Sequence, residues 1–244
     1  MIISHSRKFV FIHIHKTGGT SLERALDPHL AWNDIILGGS KFGEQIQAPY
    51  AKKYGLNKHS TVSDIESVCG ANFLEDYYLF SLVRHPLARL CSMYNFVATT
   101  LNKWAHQQGI QLKDVAKYKT PEAAKKKPAL KWASTKAFLN SGNFSEFIRQ
   151  REMAQAPGFR PQLTSLVDSL GEMKAKFFRL EDYPAWLEPV QARLGVNFEL
   201  ARDNESTLKL IDEAAVDSDD RSHVEKLFAQ DYEAFGYERG ISRT

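Results

Sequence analysis

The sequence is poor in the features that mark specialised protein classes. It has two cysteines, Cys69 and Cys91, too few for a disulfide framework or a structural zinc site and in keeping with a reducing compartment. No apolar run approaches the roughly 18 residues that a membrane span needs. Met1–Lys8 runs into a short apolar segment that ends at a lysine and two glycines, not at the small-residue cleavage site of a secretory leader. These absences lead to the expectation of a cytoplasmic protein without a transmembrane segment. An excess of charge of one sign is also lacking. Thirty-two basic against 29 acidic residues leave +3, too little to make nucleic acid or an acidic membrane the default partner, so any anion site must be local. What is present is ordinary: 244 residues, 43% hydrophobic and 25% charged, without an internal repeat or a composition break. One domain over residues 1–244 is the economical expectation.

Phe9–Ile14 is apolar on both alternating faces, as a central strand of a parallel sheet should be. It stops at His15-Lys16-Thr17-Gly18-Gly19-Thr20-Ser21 and gives way to helical spacing, with Leu22, Ala25 and Leu26 on one side and Glu23 and Arg24 on the other, until Pro28. Asp27–Asn57, with Gly38, Gly39, Gly43, Pro49 and Gly55, reads mostly as loop. Ser63 and Glu66 have the spacing of a capping box and predict a helix to about Cys69. Tyr77–Val83 is a second buried strand, and Pro86 opens a helix whose core face is Leu87, Leu90, Met93, Tyr94 and Val97.

Lys113–Lys136, part of a lysine-rich stretch around 103–136, reads as an exposed insertion or lid rather than core. Phe144, Phe147 and Ile148 suggest a helix, and Lys176–Leu180 a short strand. Tyr183, Trp186, Leu187, Val190 and Leu194 predict a helix closed by Gly195; Val224, Leu227, Phe228, Tyr232 and Phe235 predict the last one. Alternating strands and helices define an α/β fold with a parallel sheet.

Strand, glycine turn and helix together aim free backbone N–H groups at an anion, where the helix dipole also favours negative charge. Gly18 and Gly19 allow close approach, Thr17, Thr20 and Ser21 add hydroxyls, and Lys16 adds a mobile charge. The plain alternative is a β–α turn with a capping hydroxyl. The Walker order is not met, because the lysine precedes the glycines, which disfavours an ordinary nucleotide triphosphatase. Arg84 closes the second strand, where ligands of open α/β sheets sit. Ser92, nearly opposite the core face of the next helix and one turn after Ala88, would share a second anionic group with Arg84; the plain alternative is a structural ion pair and a solvent-facing serine.

These residues resemble a known family. His13–Leu22 is similar to the 5′-phosphosulfate loop of sulfotransferases, and Val83–Tyr94 to their 3′-phosphate segment, R-x-P-x-x-R-x-x-S-x-Y. The form is closest to Golgi-type carbohydrate sulfotransferases and their bacterial relatives. Weaker echoes follow at Lys58-His59-Ser60, at Phe178–Asp182, and at Asn204-Glu205-Ser206 with Asp231–Tyr237. One departure is His15, where the family commonly has proline.

The resemblance implies a P-loop-like three-layer fold with a central, mostly parallel sheet flanked by helices. It also implies sulfuryl transfer from 3′-phosphoadenosine 5′-phosphosulfate to a hydroxyl or amine. Lys16, Thr17, Gly18, Gly19, Thr20 and Ser21 would hold the 5′ end of that co-substrate, and Arg84 and Ser92 its 3′-phosphate.

In-line transfer needs charge stabilisation on the leaving oxygen, assigned to Lys16, and a base, assigned to His59. His13, read as a core histidine, His15, and a carboxylate in Asp27–Asn57 compete for the second role. No metal is required and no ligand cluster for one is seen. The acceptor is expected to be a carbohydrate or other hydroxylated molecule, with Arg160-Pro161-Gln162 and exposed aromatics near Trp104 and Trp132 as candidate contacts; nucleic acid is not an expected partner. The competing readings are an ATP-dependent P-loop kinase-like phosphotransferase and a non-catalytic nucleotide- or polyanion-binding protein.

Overall fold

The computed structural model describes residues 1–118, 128–201 and 206–239. Over their described residues, these fall into two compact units: Met1–His85, Pro161–Asn204 and Glu233–Tyr237 in the first, and Pro86–Arg160, Glu205–Tyr232 and Glu238–Thr244 in the second. The strands are β1 (Ile2–Ser4), β2 (Phe9–Ile12), β3 (Ile35–Ile36), β4 (Tyr78–Val83) and β5 (Lys176–Arg179). The α-helices are α1 (Gly19–Leu26), α2 (Lys41–Tyr54), α3 (Val62–Cys69), α4 (Ala71–Glu75), α5 (Pro86–Gln107), α6 (Ala133–Leu139), α7 (Phe144–Arg149), α8 (Leu187–Leu194), α9 (Ser218–Leu227) and α10 (Ala229–Phe235).

All five strands lie in the first unit, in the order β3-β1-β2-β4-β5. β2, β4 and β5 run parallel, with Ile12 opposite Ser81 and Phe80 opposite Lys176, whereas β1 is antiparallel to both of its neighbours. The expected mostly parallel sheet is thus present, with an antiparallel strand inserted beside its centre. Period-two alternation splits the strand side chains between two cores. Val10, Ile12, Leu79 and Val83 pack with Val62, Ile65 and Leu74 of α3 and α4. Phe9, Phe11, Phe80 and Leu82 face the other way, against Leu22 and Leu26 of α1 and Val190 and Leu194 of α8. Each fully buried large side chain contributes roughly 1.5–3 kcal/mol, so these clusters, not strand propensity, hold such short strands in place.

Several expectations need correction. Asp27–Asn57 is not mostly loop. It contains β3 and the 14-residue α2, begun by Ser40, whose hydroxyl accepts from Gly43 N–H at 3.1 Å, and closed by Gly55 at φ 73°. Gly43 belongs there for space, since a Cβ would stand 2.4 Å from the Gly38 carbonyl. The capping box is Thr61/Asp64 rather than Ser63/Glu66, with both reciprocal bonds made at 3.1 and 2.8 Å. α8 starts only at Leu187, because tight turns such as Ala185 N–H to Asp182 O at 2.8 Å fill the segment around Pro184. The last predicted helix breaks in two at Phe228, which adopts φ −112° and ψ 26°.

The second unit is built on α5, whose predicted core face is buried throughout. Tyr94 meets the rings of Phe138, Phe144 and Phe147 at 4.9–5.7 Å. Arg89 is fully buried and donates to the carbonyls of Gly158 at 2.9 Å and Arg160 at 2.8 Å. The lysine-rich stretch is not wholly excluded from the core: Val115 and Leu130 are buried in one cluster with Val97, Leu101 and Trp104. Trp104 is therefore a core residue and not an exposed contact, whereas Trp132 is exposed and stacks on Phe96. The middle of that stretch, 119–127, and Asn204-Glu205 lie outside the described residues. Among the described residues no helix is long and apolar enough to cross a membrane.

Candidate active site

The turn between β2 and α1 has the geometry expected of an anion loop. Gly18 adopts φ 83° and Lys16, a residue with a Cβ, adopts φ 66°. That conformation costs a non-glycine residue about 1–2 kcal/mol and marks a place where local strain is tolerated. The first helical bond runs from Ser21 N–H to the Gly18 carbonyl at 3.0 Å, so the amides of Gly18, Gly19 and Thr20 stand ahead of it at the open end of α1. Gly19 must be glycine for packing: a Cβ would lie 2.4 Å from the His13 ring. Thr17 departs from its expected part. Its side chain is buried and its hydroxyl donates to the Ile14 carbonyl at 3.0 Å, so it braces the loop and leaves only its amide for a ligand. Thr20 and Ser21 are half-buried.

Glu23, expected on the polar face of α1, is fully buried. Its carboxylate pairs with the Met1 ammonium and lies 2.8 Å from His13 Nδ1 and 3.5 Å from Lys58 Nζ. Burial pushes its pKa up, but His13, the terminal ammonium and Lys58 outweigh that and hold it at about 2. Burial is also the main reason that His13 falls to about 4, against the pull of Glu23. At neutral pH the carboxylate is ionised and His13 is neutral. Lys58 partly offsets this buried charge and links it to the loop, donating from Nζ to Thr20 Oγ1 at 3.2 Å. Glu23 and Lys58 are the residues that sequence reasoning missed; the only signal was the Lys-His-Ser echo.

His59 Nδ1 is 2.8 Å from the His13 carbonyl. A carbonyl only accepts, so Nδ1 carries the proton and Nε2 is left as the basic nitrogen. The ring is stacked on His15, with centroids 3.5 Å apart and planes at 23°, and meets the His13 ring edge-on at 4.7 Å. Burial first, then the neighbouring His13 and His15, keep its pKa well below the usual histidine value.

Arg84 leaves β4 beside the end of β2. Its backbone is clamped by Gln162, which accepts from Arg84 N–H at 2.9 Å and donates to its carbonyl at 2.8 Å. Gln162 is fully buried in that task, which corrects its reading as a sugar contact. The His85 amide is held likewise by Glu181 at 2.8 Å. The half-buried Lys16 feels these surroundings: burial, then the charges of Arg84 and Lys58, bring its pKa down to about 8. Three cations thus converge where the two parallel strands end. Ser92 belongs to the second unit, where it is half-buried on α5. Among the described residues no group of three or more histidines, cysteines or carboxylates is placed to hold a metal.

A family model described as the sulfotransferase family matches residues 1–238. The chain therefore belongs to the sulfotransferase family, whose members are transferases of a sulfuryl group. No curated protein and no solved structure gives a significant match.

Proposed function

We propose that the protein transfers the sulfuryl group of 3′-phosphoadenosine 5′-phosphosulfate to a hydroxyl of a carbohydrate or similar polyhydroxylated acceptor. The observation that carries this reading is the glycine turn at the end of β2, with Lys16 inside it, Lys58 bonded to its Thr20 at 3.2 Å and Arg84 leaving the adjacent parallel strand. Such a place favours a ligand with several negative charges. The amides of Gly18, Gly19 and Thr20, with the Thr20 and Ser21 hydroxyls, would hold the 5′ end. Arg84 would take the 3′-phosphate, and the assignment of Ser92 to that group rests on the motif alone. Residues 1–244 would act as one catalytic domain, in line with a family match that spans both units.

In the reaction the acceptor oxygen attacks sulfur in line, forming its O–S bond as the bond from sulfur to the bridging phosphate oxygen breaks. The electron pair of that bond goes to the phosphate, where Lys16 would offset the growing charge. The acceptor proton passes to Nε2 of His59 and later to solvent. The products are the sulfated acceptor and 3′-phosphoadenosine 5′-phosphate. No metal enters these steps. A polar cleft of about 430 Å³, lined by Thr20, Arg24, Asp27, Gly39, Ser40, Lys41 and Glu44, adjoins the loop through Thr20. Its charges of both signs and its hydroxyls suit an acceptor rich in hydroxyls.

Calorimetric titration tests the donor assignment. 3′-Phosphoadenosine 5′-phosphate should bind far more tightly than ATP, and labelled donor should transfer to a saccharide panel in wild type but not in Lys16→Ala. Tighter binding of ATP, or steeply salt-dependent binding of nucleic acid without transfer, would establish one of the competing readings instead.

A further inference from the structure

We propose that His15 is a positioning residue for the reaction, holding the His59 ring by face-to-face stacking so that Nε2 is presented to the acceptor hydroxyl. The inference rests on the reading of His59 as the base.

Two contacts fix His59 from the side of the β2–α1 turn. The Nδ1–H bond to the His13 carbonyl pins one atom of the ring and sets its tautomer. A single hydrogen bond leaves rotation about its own axis, and the His15 face removes that freedom by lying 3.5 Å away at 23°. The His13 ring closes the remaining side at 4.7 Å. His15 is itself held at the edge of the strained turn, one residue before Lys16 at φ 66°. The residue that orients the base and the residue assigned to the leaving group are therefore neighbours on one loop, and a shift of that loop would move both together.

The stack also has an electrostatic consequence. The ionisable groups around His59 are His13 and His15 from the turn, the Met1 ammonium at the start of β1, and Lys58 beside it in the chain. Glu23, the nearby carboxylate, is engaged by His13, Lys58 and the terminal ammonium. Burial and the ionisable neighbours, His13 and His15 foremost, disfavour a proton on Nε2 and outweigh the His13 carbonyl, which favours one, in agreement with the direction in which His59 is displaced. His15 therefore acts in two separable ways, as an aromatic face and as an ionisable neighbour.

The full-length protein with His15→Ala and His15→Phe separates them. The assays are kcat across pH with a responsive saccharide acceptor, NMR titration of the His59 ring, and affinity for 3′-phosphoadenosine 5′-phosphate. His15→Ala removes both actions and should lower plateau kcat about 3- to 10-fold, the range that an aromatic contact supplies, with nucleotide affinity retained. His15→Phe keeps the face and loses the ionisable ring, so it should recover part of that kcat while the acidic limb of the profile and the His59 titration both move to higher pH. Should His15→Ala fail to fold, the Phe variant and the titration carry the test. Wild-type kcat and an unmoved His59 titration in the His15 variants, beside an inactive His59→Ala, would overturn the proposal alone. Full turnover by His59→Ala would overturn the base assignment, and the catalytic part of His15 with it.

Discussion

Lys16 gives a prediction in which activity and stability move in opposite directions. Its ammonium is held at a pKa of about 8, by burial first and then by Arg84 and Lys58, against an ordinary 10.5. Keeping it charged at pH 7 therefore costs the ligand-free fold about 3 kcal/mol. Lys16→Met keeps the length of the side chain and removes the charge. The unliganded variant should be more stable than wild type at pH 7 by up to that amount, or at most roughly 6–12 °C in Tm for a chain of this size. The sign with pH follows from proton counting. Between about pH 8 and pH 10.5 the folded Lys16 has lost its proton and the unfolded one retains it, so wild-type stability rises with pH and the advantage of the Met variant shrinks. Sulfuryl transfer should meanwhile fall by about 10²–10³-fold, as when a preorganised electrostatic group is removed from a transition state. Urea melts at pH 7, 8.5 and 10, with single-turnover transfer beside them, measure all three effects. A Met variant less stable than wild type, or an advantage that does not change with pH, would refute the reasoning.

The same group sets a pH dependence of catalysis. Because kcat/KM reports the free enzyme, its profile in donor concentration should fall as pH rises through about 8, when Lys16 loses its charge, and that limb should vanish in Lys16→Met. Gly19→Ala places a Cβ 2.4 Å from the buried His13 ring; it should cost about 1–3 kcal/mol in a thermal melt and weaken nucleotide binding, because the ring and the loop must move apart. Glu23→Gln leaves Lys58 without its buried counter-charge, and the terminal amine without it wherever that amine is protonated, and should destabilise the fold by about 3–5 kcal/mol. Since Glu23 titrates at about 2 in the folded protein, its contribution is whole above the usual glutamate value and is lost as pH falls from there toward 2, a loss the Gln variant should not show.

What the sequence reveals of this protein depends on whether a feature is made by neighbours in the chain. β2, β4 and the start of α5 are legible because strands buried on both faces are continuously apolar and because Pro86 marks a helix start. The α2 helix is hidden by Gly43 and Pro49, residues that weaken a helix in isolation; the first is required by backbone approach and the second lies on an exposed surface where its lost bond is cheap. β1 and β3 are too short for periodicity to register and exist only as partners of β2 and of each other. The site divides in the same way. The phosphate-loop half is backbone and local hydroxyls, so a motif names it, though it cannot tell that the Thr17 hydroxyl turns inward. The electrostatic half is assembled from the β2 end, α1 and the Lys58-His59 turn, and a carboxylate as far from water as Glu23 looks like any surface glutamate until its cations are in place. This separation has a mechanistic consequence. Substitutions in the legible half should act directly on nucleotide binding and rate, whereas those in the hidden half should act without touching the ligand, through stability and through shifted pH profiles, because that half sets the protonation of Lys16, His13 and His59.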